Sequence, residues 1–381
     1  MSWEKVTLGN ISSIIQTGPF GSQLHQSDYS EEGTPVVMPK DLVNGHISET
    51  SIARVSEDHV NRLSRHKIEV GDILYSRRGD VGRCAFATEL EQGWLCGTGC
   101  LRVTIDKRKA IPQFVFYQLQ KAETVGWVEK HAVGATMLNL NTSILSSVPI
   151  DIPSLAEQQA IVDVLSAYDD LIENNQKQIK LLEEAAQRLY KEWFVDLRFP
   201  GHETTPIVDG VPEGWTSMAV TDFLEIKYGK DHKALEGGNV PVYGSGGVMR
   251  KVNKILHSGE SVLIPRKGSL NNILLVSGDF WSIDTMFFSI PKRPNVAKYV
   301  YLFLKSVDMY AMNIGAAVPS MTVKILDGMR VLCPVSELLE LFEKVAGPYF
   351  SVIELLKKKN DSLSEARELL LPKLMSGEIE V

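Results

Sequence analysis

Residues 153–193 read PSLAEQQAIVDVLSAYDDLIENNQKQIKLLEEAAQRLYKEW, and residues 334–374 read PVSELLELFEKVAGPYFSVIELLKKKNDSLSEARELLLPKL. The two stretches align without a gap, and the alignment extends back to Gly134 in the first and Gly315 in the second. Self-similarity at so long a spacing excludes a solenoid repeat. It indicates two copies of one domain, each followed by a long helix.

A seven-residue apolar repeat runs through both helices and predicts that they pack against each other as a coiled coil. About 39 residues at about 1.5 Å each give a rod of about 58 Å, which is too long to be buried in one small domain. The predicted seam residues are Ile161, Leu165, Tyr168, Ile172, Asn175, Ile179, Leu182 and Leu189 in the first helix, and Phe342, Tyr349, Ile353, Leu356, Asn360, Leu363 and Leu370 in the second. The alternative is that each helix packs only on its own domain.

Two further expectations concern the second helix and its polar seam positions. Gly347-Pro348 predicts a break or kink near its start, and Pro372 predicts a limit to its end, because proline lacks a backbone donor and clashes with the preceding turn. Asn175 and Asn360 are polar residues in an apolar seam, and such residues fix the register of a coiled coil.

The regions before the helices have mixed α and β character. Short β-branched or aromatic stretches at 67–75, 101–105, 261–264, 273–276 and 286–290 predict strands, whereas 112–120 and 296–305 predict helices. Residues 199–213, rich in proline and glycine, predict a linker. The expected segments are a first domain (1–153), a central helix (154–197), a linker with the second domain (198–334) and a C-terminal helix (335–381). Spacing between the copies changes only upstream of the helices, which is typical of a constant scaffold joined to a variable reading region.

Composition and charge narrow the classes of function. The chain has 381 residues, no long apolar run and no signal-like start, so we expect a cytoplasmic protein with no membrane partner. Its four cysteines predict reduced core thiols. The net charge of −7 is uneven, because residues 154–197 hold 4 basic and 9 acidic residues whereas residues 198–334 hold 15 basic and 12 acidic. Phosphate binding needs basic residues, so the domains rather than the helices are expected to approach nucleic acid.

Several motifs in a fixed order resemble the specificity subunit of type I restriction-modification systems. They are Gly18-Pro19-Phe20-Gly21-Ser22, Gly71-Asp72-Ile73-Leu74 leading into Arg78-Gly79-Asp80-Val81-Gly82, Pro153-Ser154-Leu155-Ala156-Glu157-Gln158-Gln159, Phe199-Pro200-Gly201-His202-Glu203, Val211-Pro212-Glu213-Gly214-Trp215, Pro241-Val242-Tyr243-Gly244-Ser245-Gly246-Gly247 and Leu371-Pro372-Lys373-Leu374-Met375-Ser376-Gly377. The resemblance covers essentially the whole chain. Two departures are the run 266–272, in place of a glycine-rich turn, and the run 336–340, which lacks the double glutamine of the first copy.

The resemblance implies an α+β fold: two tandem mixed α/β target-recognition domains, each followed by a long helix, with the helices paired as an antiparallel coiled coil of pseudo-two-fold symmetry. It implies a DNA-binding subunit that is not itself an enzyme, has no catalytic residue or metal site and holds no cofactor. Each domain would read one half of a bipartite site in double-stranded DNA through the major groove, while the helices set the spacer. Implied partners are two methyltransferase subunits and restriction/translocase subunits, which would bring S-adenosylmethionine, ATP and Mg.

The candidate DNA contacts are basic and amide residues near glycine turns, because arginine reads guanine edges, asparagine reads adenine edges and lysine holds phosphates. In the first domain they are Lys40, Arg77, Arg78, Arg83, Asn139 and Asn141. In the second they are Lys227, Lys230, Lys233, Arg250, Lys251, Arg266, Lys267, Asn271 and Asn272. A solvated surface charge is the alternative for each one.

Two other classes of function stay open on the sequence. One is an interaction scaffold whose helices tether proteins without reading DNA. The other is a self-contained metal-dependent nuclease that uses Asp209, Glu225 and Lys227. The basic glycine turns at Arg77 and Arg266 distinguish a DNA reader from a scaffold, which has no need of them.

Overall fold

The computed structural model describes residues 3–134, 138–313 and 320–381, apart from the side chains of Ser22 and Asn313. Its contacts divide the chain into two units, Met1–Glu173 with Asn360–Val381, and Asn174–Lys359. Each unit holds one copy of the repeated domain and part of each long helix. The four segments expected from the sequence follow the repeat rather than the contacts, and they stay a prediction.

The first domain contains twelve strands and five short helices among its described residues. The strands are β1 (Glu4–Thr7), β2 (Ser12–Thr17), β3 (Tyr29–Ser30), β4 (Thr34–Val37), β5 (Leu42–Val43), β6 (His46–Ile47), β7 (Ala53–Val55), β8 (Ile73–Ser76), β9 (Cys84–Phe86), β10 (Leu95–Cys96), β11 (Cys100–Ile105) and β12 (Pro149–Ile152). The helices are α1 (Leu8–Ile11), α2 (Glu57–Arg62), α3 (Pro112–Leu119), α4 (Ala122–His131) and α5 (Thr142–Ser146), with 3₁₀ turns at Gly21–Gln23, Gln26–Asp28, Pro39–Asp41 and Ser64–His66.

A four-stranded antiparallel sheet in the order β2-β11-β8-β9 forms the centre of this domain. All four residues of β8 are buried, as expected for a strand covered on both faces. A second sheet, β10-β4-β7-β3, contains the parallel pair β10–β4. Helix α3 begins at Pro112, where the missing N–H needs no partner, and it buries Phe114 and Tyr117 completely.

A long helix, α6 (Leu155–Tyr190), continues through a π-helical turn (Lys191–Val195) and leads into the second domain. The strands of that domain are β13 (Ile207–Val208), β14 (Val211–Pro212), β15 (Thr216–Ala219), β16 (Leu224–Tyr228), β17 (Gly237–Gly244), β18 (Gly247–Val252), β19 (His257–Ser258), β20 (Ser261–Pro265), β21 (Leu274–Val276), β22 (Asp279–Ser282), β23 (Met286–Pro291) and β24 (Arg330–Cys333). The helices are α7 (Val220–Phe223), α8 (Ala297–Lys305), α9 (Val323–Gly328) and the final long helix α10 (Ser336–Leu374), with 3₁₀ turns at His202–Thr204 and Ala311–Asn313.

The second domain repeats the sheets of the first. The order β16-β23-β20-β21 is again antiparallel and corresponds to β2-β11-β8-β9. The sheet β18-β17-β22-β19 again contains one parallel pair, β17–β22. The predicted strands and helices are present, although the stretch 67–75 is a strand only from Ile73. The predicted linker 199–213 contains the hairpin β13–β14.

The two long helices pair in opposite directions. Contacts between them are Asp169–Arg367 (2.6 Å) and Ile172–Asn360 (3.3 Å) in the first unit, and Glu183–Lys357 (3.4 Å) and Trp193–Phe342 (ring centroids 5.8 Å) in the second. Residue numbers rise along α6 as those of its partners fall along α10, so the pairing is antiparallel. This confirms the predicted α+β class with paired long helices.

The sequence predicts a break or kink at Gly347-Pro348. The break is wrong, because α10 is a continuous helix from Ser336 to Leu374, and the kink stays a prediction. Burial of Phe342 and Ala346 in the core of the second unit holds the turn before the proline in place. Tertiary packing of an amphipathic face therefore outweighs the local cost of proline. Helix α10 ends at Leu374, two residues beyond Pro372, as expected if that proline limits the end of the helix.

All four cysteines are buried and unpaired, as expected for core thiols. Burial raises the pKa of the Cys84 and Cys96 thiols to about 12. Among the described residues, no helix is both long enough and apolar enough to cross a membrane.

Candidate nucleic-acid interface

In the first unit, several loops meet at the turn Gly97–Gly99, which precedes the central strand β11. The contacts are main-chain N–H donation from Gly18 to Cys100 O (2.9 Å), from Arg77 to Gly99 O (2.8 Å) and from Gly97 to Val37 O (2.9 Å), together with donation from Thr98 Oγ1 to Pro19 O (2.8 Å). A Cβ atom on Gly18 would lie 2.0 Å from the Gly97 carbonyl oxygen, so only glycine fits there. The family-like run that begins at Gly18 therefore serves this loop junction.

The turn Arg77–Gly79 is held by its main chain. Leu140 N–H donates to Arg77 O (2.8 Å), Gly79 N–H donates to Leu138 O (3.2 Å), and Gly79 has a φ of +75°. Glycine adopts this left-handed conformation without strain. Arg78 is exposed and has no side-chain hydrogen bond or ion pair within the described part of the chain, whereas Arg77 is half-buried with an unpartnered Nε. Arg78 is thus the more available of the two.

The structure brings Arg83 and Asn139 to the same turn. Arg83 is exposed, but its guanidinium donates to Asp80 at 2.7 Å. Asn139 forms an isolated β-bridge with Arg78, and its side-chain oxygen is buried without a partner in the residues described. Three of the predicted residues, Arg78, Arg83 and Asn139, therefore surround one glycine turn.

The remaining candidates of the first domain have structural partners. Asn141 caps helix α5, because its Oδ1 accepts from Ile144 N–H at 2.8 Å. Lys40 lies on the connection 38–52 between β4 and β7, and its Nζ donates to Ser51 O at 2.7 Å. Their roles as DNA contacts stay predictions.

The second unit has a matching junction at residues 282–285. Five main-chain hydrogen bonds hold it together. The N–H groups donate from Lys230 to Ser282 O (2.8 Å), from Arg266 to Thr285 O (2.8 Å), from Gly229 to Met286 O (3.0 Å), from Ile283 to Tyr243 O (3.1 Å) and from Met321 to Arg266 O (2.9 Å). The last bond corresponds to the one from Leu140 to Arg77. A Cβ on Gly229 would lie 2.0 Å from Ile283 O, the same restriction as at Gly18. Both copies thus build one main-chain frame.

Arg266 stands where Arg77 stands in the first copy, but its side chain is anchored. Its guanidinium lies 4.7 Å from the Tyr228 ring centroid and 5.2 Å from that of Phe287, and Nη1 donates to Asp284 O at 2.7 Å. Lys267 beside it is exposed, with no side-chain hydrogen bond or ion pair among the described residues. Lys267 is therefore the free cation of this turn.

Asn271 and Asn272 brace the same turn. Asn272 Nδ2 donates to Ser245 O at 2.8 Å, and so joins the turn to the tip of the hairpin β17–β18. Asn271 Oδ1 accepts from Met309 N–H at 2.8 Å, and its Nδ2 donates to Asp308 at 3.1 Å. Both amides are thus engaged within the chain.

The other candidates of the second domain divide into anchored and open side chains. Lys227 pairs with Glu225 at 2.5 Å, and Arg250 donates to the carbonyls of His232 (3.4 Å) and Leu235. Lys230, Lys233 and Lys251 are exposed, with no side-chain hydrogen bond or ion pair in the described ranges. The anchored pair shapes the surface, while the three lysines remain available.

Sequence reasoning missed three exposed apolar residues at these junctions. Phe20, Val248 and Met249 are 56%, 57% and 56% exposed. Phe20 lies beside the Gly97–Gly99 junction, and the other two follow the hairpin turn that Asn272 braces. Their exposure depends on tertiary placement, so the only sequence signal was their position beside glycine runs.

A buried ion pair lies in the first domain at the start of β8, the end of the strand opposite the turn Arg77–Gly79. Asp72 accepts from Thr104 Oγ1 (2.5 Å), Glu69 N–H (2.8 Å) and Arg102 Nη1 (3.2 Å). Burial raises the pKa of Asp72, although these partners act to lower it. Burial, with help from Arg65 and Arg102, lowers the pKa of the neighbouring His66 to about 4.

All of the predicted seam residues are buried or half-buried. Asn360 Nδ2 donates to Ile172 O at 3.3 Å, which places one polar seam residue across the helix pair. In the first unit, Tyr117 donates to Asp169 at 2.7 Å, and Arg367 pairs with the same carboxylate. In the second unit, Lys298 of α8 pairs with Glu343 of α10 at 2.7 Å. Each domain is therefore tied to the helices within its unit.

The nuclease alternative gains no support from the geometry. Glu225 is occupied by Lys227, and Asp209 lies in the turn of the hairpin β13–β14 with a φ of +51°. Within the described ranges, no group of three or more His, Cys, Asp or Glu side chains is arranged to hold a metal ion.

Comparisons with known proteins point to one family. Residues 1–184 match the model of the type I restriction modification DNA specificity domain. The chain is 26% identical to the type I restriction enzyme MjaIX specificity subunit of Methanocaldococcus jannaschii, over 91% of this chain and 87% of that protein. It is 22% identical to the HindI specificity subunit of Haemophilus influenzae, over 99% of both chains. The crystal structure of a type I S subunit from M. genitalium shares the fold, with a TM-score of 0.59, 20% identity and coverage of 98% and 96%.

Proposed function

We propose, from its similarity to the specificity subunits of type I restriction enzymes, that this chain reads a bipartite DNA sequence, one half-site with each domain. The observation that carries this proposal is the repeated junction, which is the loop meeting point at Gly97–Gly99 in the first copy and at residues 282–285 in the second. The same main-chain frame presents Arg78 in one copy and Lys267 in the other, both exposed and without side-chain partners in the described residues. A repeated basic turn on a constant frame suits two related DNA half-sites.

The charge distribution supports DNA contact by the domains. Residues 198–334 carry a net charge of +3, while residues 154–197 carry −5. Acidic helices repel phosphates, so the exposed helix faces are kept away from the duplex. Open lysines such as Lys230 and Lys251 are suited to phosphates, and arginines at the glycine turns to base edges.

The paired helices suit the role of a spacer ruler. Helix α6 has 36 residues and α10 has 39, so they are about 54 Å and 58 Å long. Half-sites one turn apart on B-DNA lie about 34 Å from each other. The ties Tyr117–Asp169–Arg367 and Lys298–Glu343 hold each domain on the helix segments of its unit, so helix length is transmitted to the reading surface.

Catalysis in this proposal lies in other chains. Two methyltransferase subunits would dock on the helices, bring S-adenosylmethionine and modify a flipped adenine. Restriction/translocase subunits would bring ATP and Mg. This chain would itself be non-catalytic, without a cofactor, and would work in the cytoplasm.

The direct test is the adenine methylome of a host that expresses this chain with its neighbouring methyltransferase gene. The control is the same host lacking only this chain. We expect loss of one split methylation motif, which would also give both half-sites and the spacer. An identical methylome in the two hosts contradicts the proposal and leaves the scaffold alternative to be tested.

A matched pair of variants tests the reading surface. The turn that carries Arg78 lies beside the start of β11, whereas Arg108, whose side chain is 88% exposed, follows the opposite end of the same strand. The exchange Arg78→Ala together with Arg77→Ala should weaken specific binding in one half-site only, by about 1–3 kcal/mol for each base contact. Arg108→Ala should change nothing. Equal loss on specific and random duplexes would reduce the pair to phosphate contacts.

A further inference from the structure

The hairpin β17–β18 of the second domain carries an irregularity that exposes apolar side chains. Its pairing register shifts between Val242 and Tyr243, which leaves Met249 without a cross-strand partner. In a regular strand, neighbouring side chains point to opposite faces. Here Val248 and Met249 are consecutive, and both are more than half exposed. The bulge has therefore turned two apolar side chains outward, as bulges beside functional sites do.

The hairpin tip is fixed rather than free. Asn272 Nδ2 donates to Ser245 O, and a Cβ on Gly268 would lie 2.5 Å from Ser245 Oγ, so the turn and the tip are in close contact. Behind the bulge, Arg250 holds the loop 232–235 through the carbonyls of His232 and Leu235. The exposed pair is thus positioned beside the exposed Lys267 of the repeated basic turn.

The occupant that best fits this edge is duplex DNA. β18 is an edge strand, and its bulge together with the exposed Lys251 opposes pairing with a strand of another copy of this chain. Lys251 and Lys267 flank the apolar pair with positive charge, which suits a polyanion. The major groove admits a two-stranded ribbon, and its apolar feature is the thymine C5 methyl group.

We infer that the hairpin β17–β18 enters the major groove of the half-site read by the second domain, where Val248 and Met249 contact thymine methyl groups. This inference rests on the proposed function and adds specificity-determining residues to it. In the first domain the corresponding connection, between β4 and β7, is the longer segment 38–52, so the two copies present different reading elements at equivalent places.

The first measurement uses the full-length chain with its methyltransferase partner and a randomised duplex library. Met249→Ala and, separately, Val248→Thr, which keeps the side-chain shape, should relax preference at one or two A·T pairs of a single half-site. The other half-site should not change. Ile255→Ala is the control, since Ile255 is 52% exposed but follows the opposite end of β18.

The second measurement replaces the thymines at those pairs by uracil, which lacks the C5 methyl. Wild-type affinity should fall roughly fourfold for each buried methyl group that the replacement removes. The penalty should be smaller in Met249→Ala, because only the Val248 contact is left to lose. Equal uracil penalties in both proteins overturn the inference, as does a half-site without A·T pairs. If wild type selects no sequence at all, the proposed function itself fails. If the variants instead only reduce self-association in solution, the hairpin is a contact between copies and not a DNA reader.

Discussion

Removing Asp72 tests whether the first domain depends on its buried ion pair. The substitution Asp72→Ala removes the acceptor of three hydrogen bonds, from Thr104, Glu69 and Arg102. The Arg102 side chain is only 6% exposed, so its charge would be left with main-chain carbonyls as its partners. We therefore expect a large loss of stability that is confined to the first unit.

The magnitude follows from the burial of the remaining charge. Breaking a buried ion pair by removing one partner costs about 3–5 kcal/mol. The matched control is Asp80→Ala, because Asp80 pairs with Arg83 but both side chains are exposed, at 56% and 40%. An exposed pair contributes about 0–1 kcal/mol. The double variant Asp72→Ala with Arg102→Met removes the unpaired charge as well and should recover at least half of the loss.

The assay is hydrogen–deuterium exchange of peptides covering β11, which reports on the first unit separately from the second. A loss of about 3–5 kcal/mol lowers protection by about a hundredfold to several thousandfold, at about 1.4 kcal/mol for each factor of ten. Asp80→Ala should lower it by less than about fivefold. Equal effects of the two single variants, or a double variant no more protected than Asp72→Ala, would refute the reasoning.

Two further outcomes are expected. The pKa of His66 is about 4 in the folded chain and about 6.5 when unfolded, so the unfolded state binds the proton more tightly. Stability that is present above pH 6.5 should therefore fall as the pH drops toward 4. Thermal unfolding of His66→Gln should lack this dependence of stability on pH, and the same dependence in the variant would contradict the assignment to His66. Lengthening α6 by about one turn should change the tolerated spacer length and leave both half-site sequences unchanged. Methylome sequencing measures both. An unchanged spacer would show that helix length does not set the spacing between the half-sites.

Much of the fold could be predicted because its signals are linear in the sequence. The gapless repeat predicted two domains, and the seven-residue spacing predicted helices that the structure shows paired. The error at Pro348 has a physical cause. Local propensity predicted a break, but burial of the neighbouring Phe342 and Ala346 holds the helix together, and that burial depends on residues distant in sequence.

The availability of the candidate DNA contacts could not be predicted in the same way. Arg266 and Lys267 are neighbours on one turn, yet Arg266 stacks on Tyr228 while Lys267 has no side-chain hydrogen bond or ion pair among the described residues. Asn141 similarly matches a base reader by residue type but caps a helix. Residue type gives the chemistry that a side chain can perform. Its freedom to perform that chemistry depends on tertiary partners that the sequence does not display.

The repeated junction also bears on how specificity can change without loss of fold. Its bonds at Arg77 and Arg266 are donated and accepted by the main chain, so they do not depend on which side chain is present. In that junction Gly18, Gly97 and Gly229 are each fixed by close approach to a carbonyl oxygen. The connection 38–52 and the hairpin turn at Ser245 follow equivalent strands, β4 and β17, and their sequences are not similar. A frame made of main-chain bonds therefore leaves the proposed reading elements free to diverge. If they read DNA as proposed, substitutions there should alter the half-site while costing little stability.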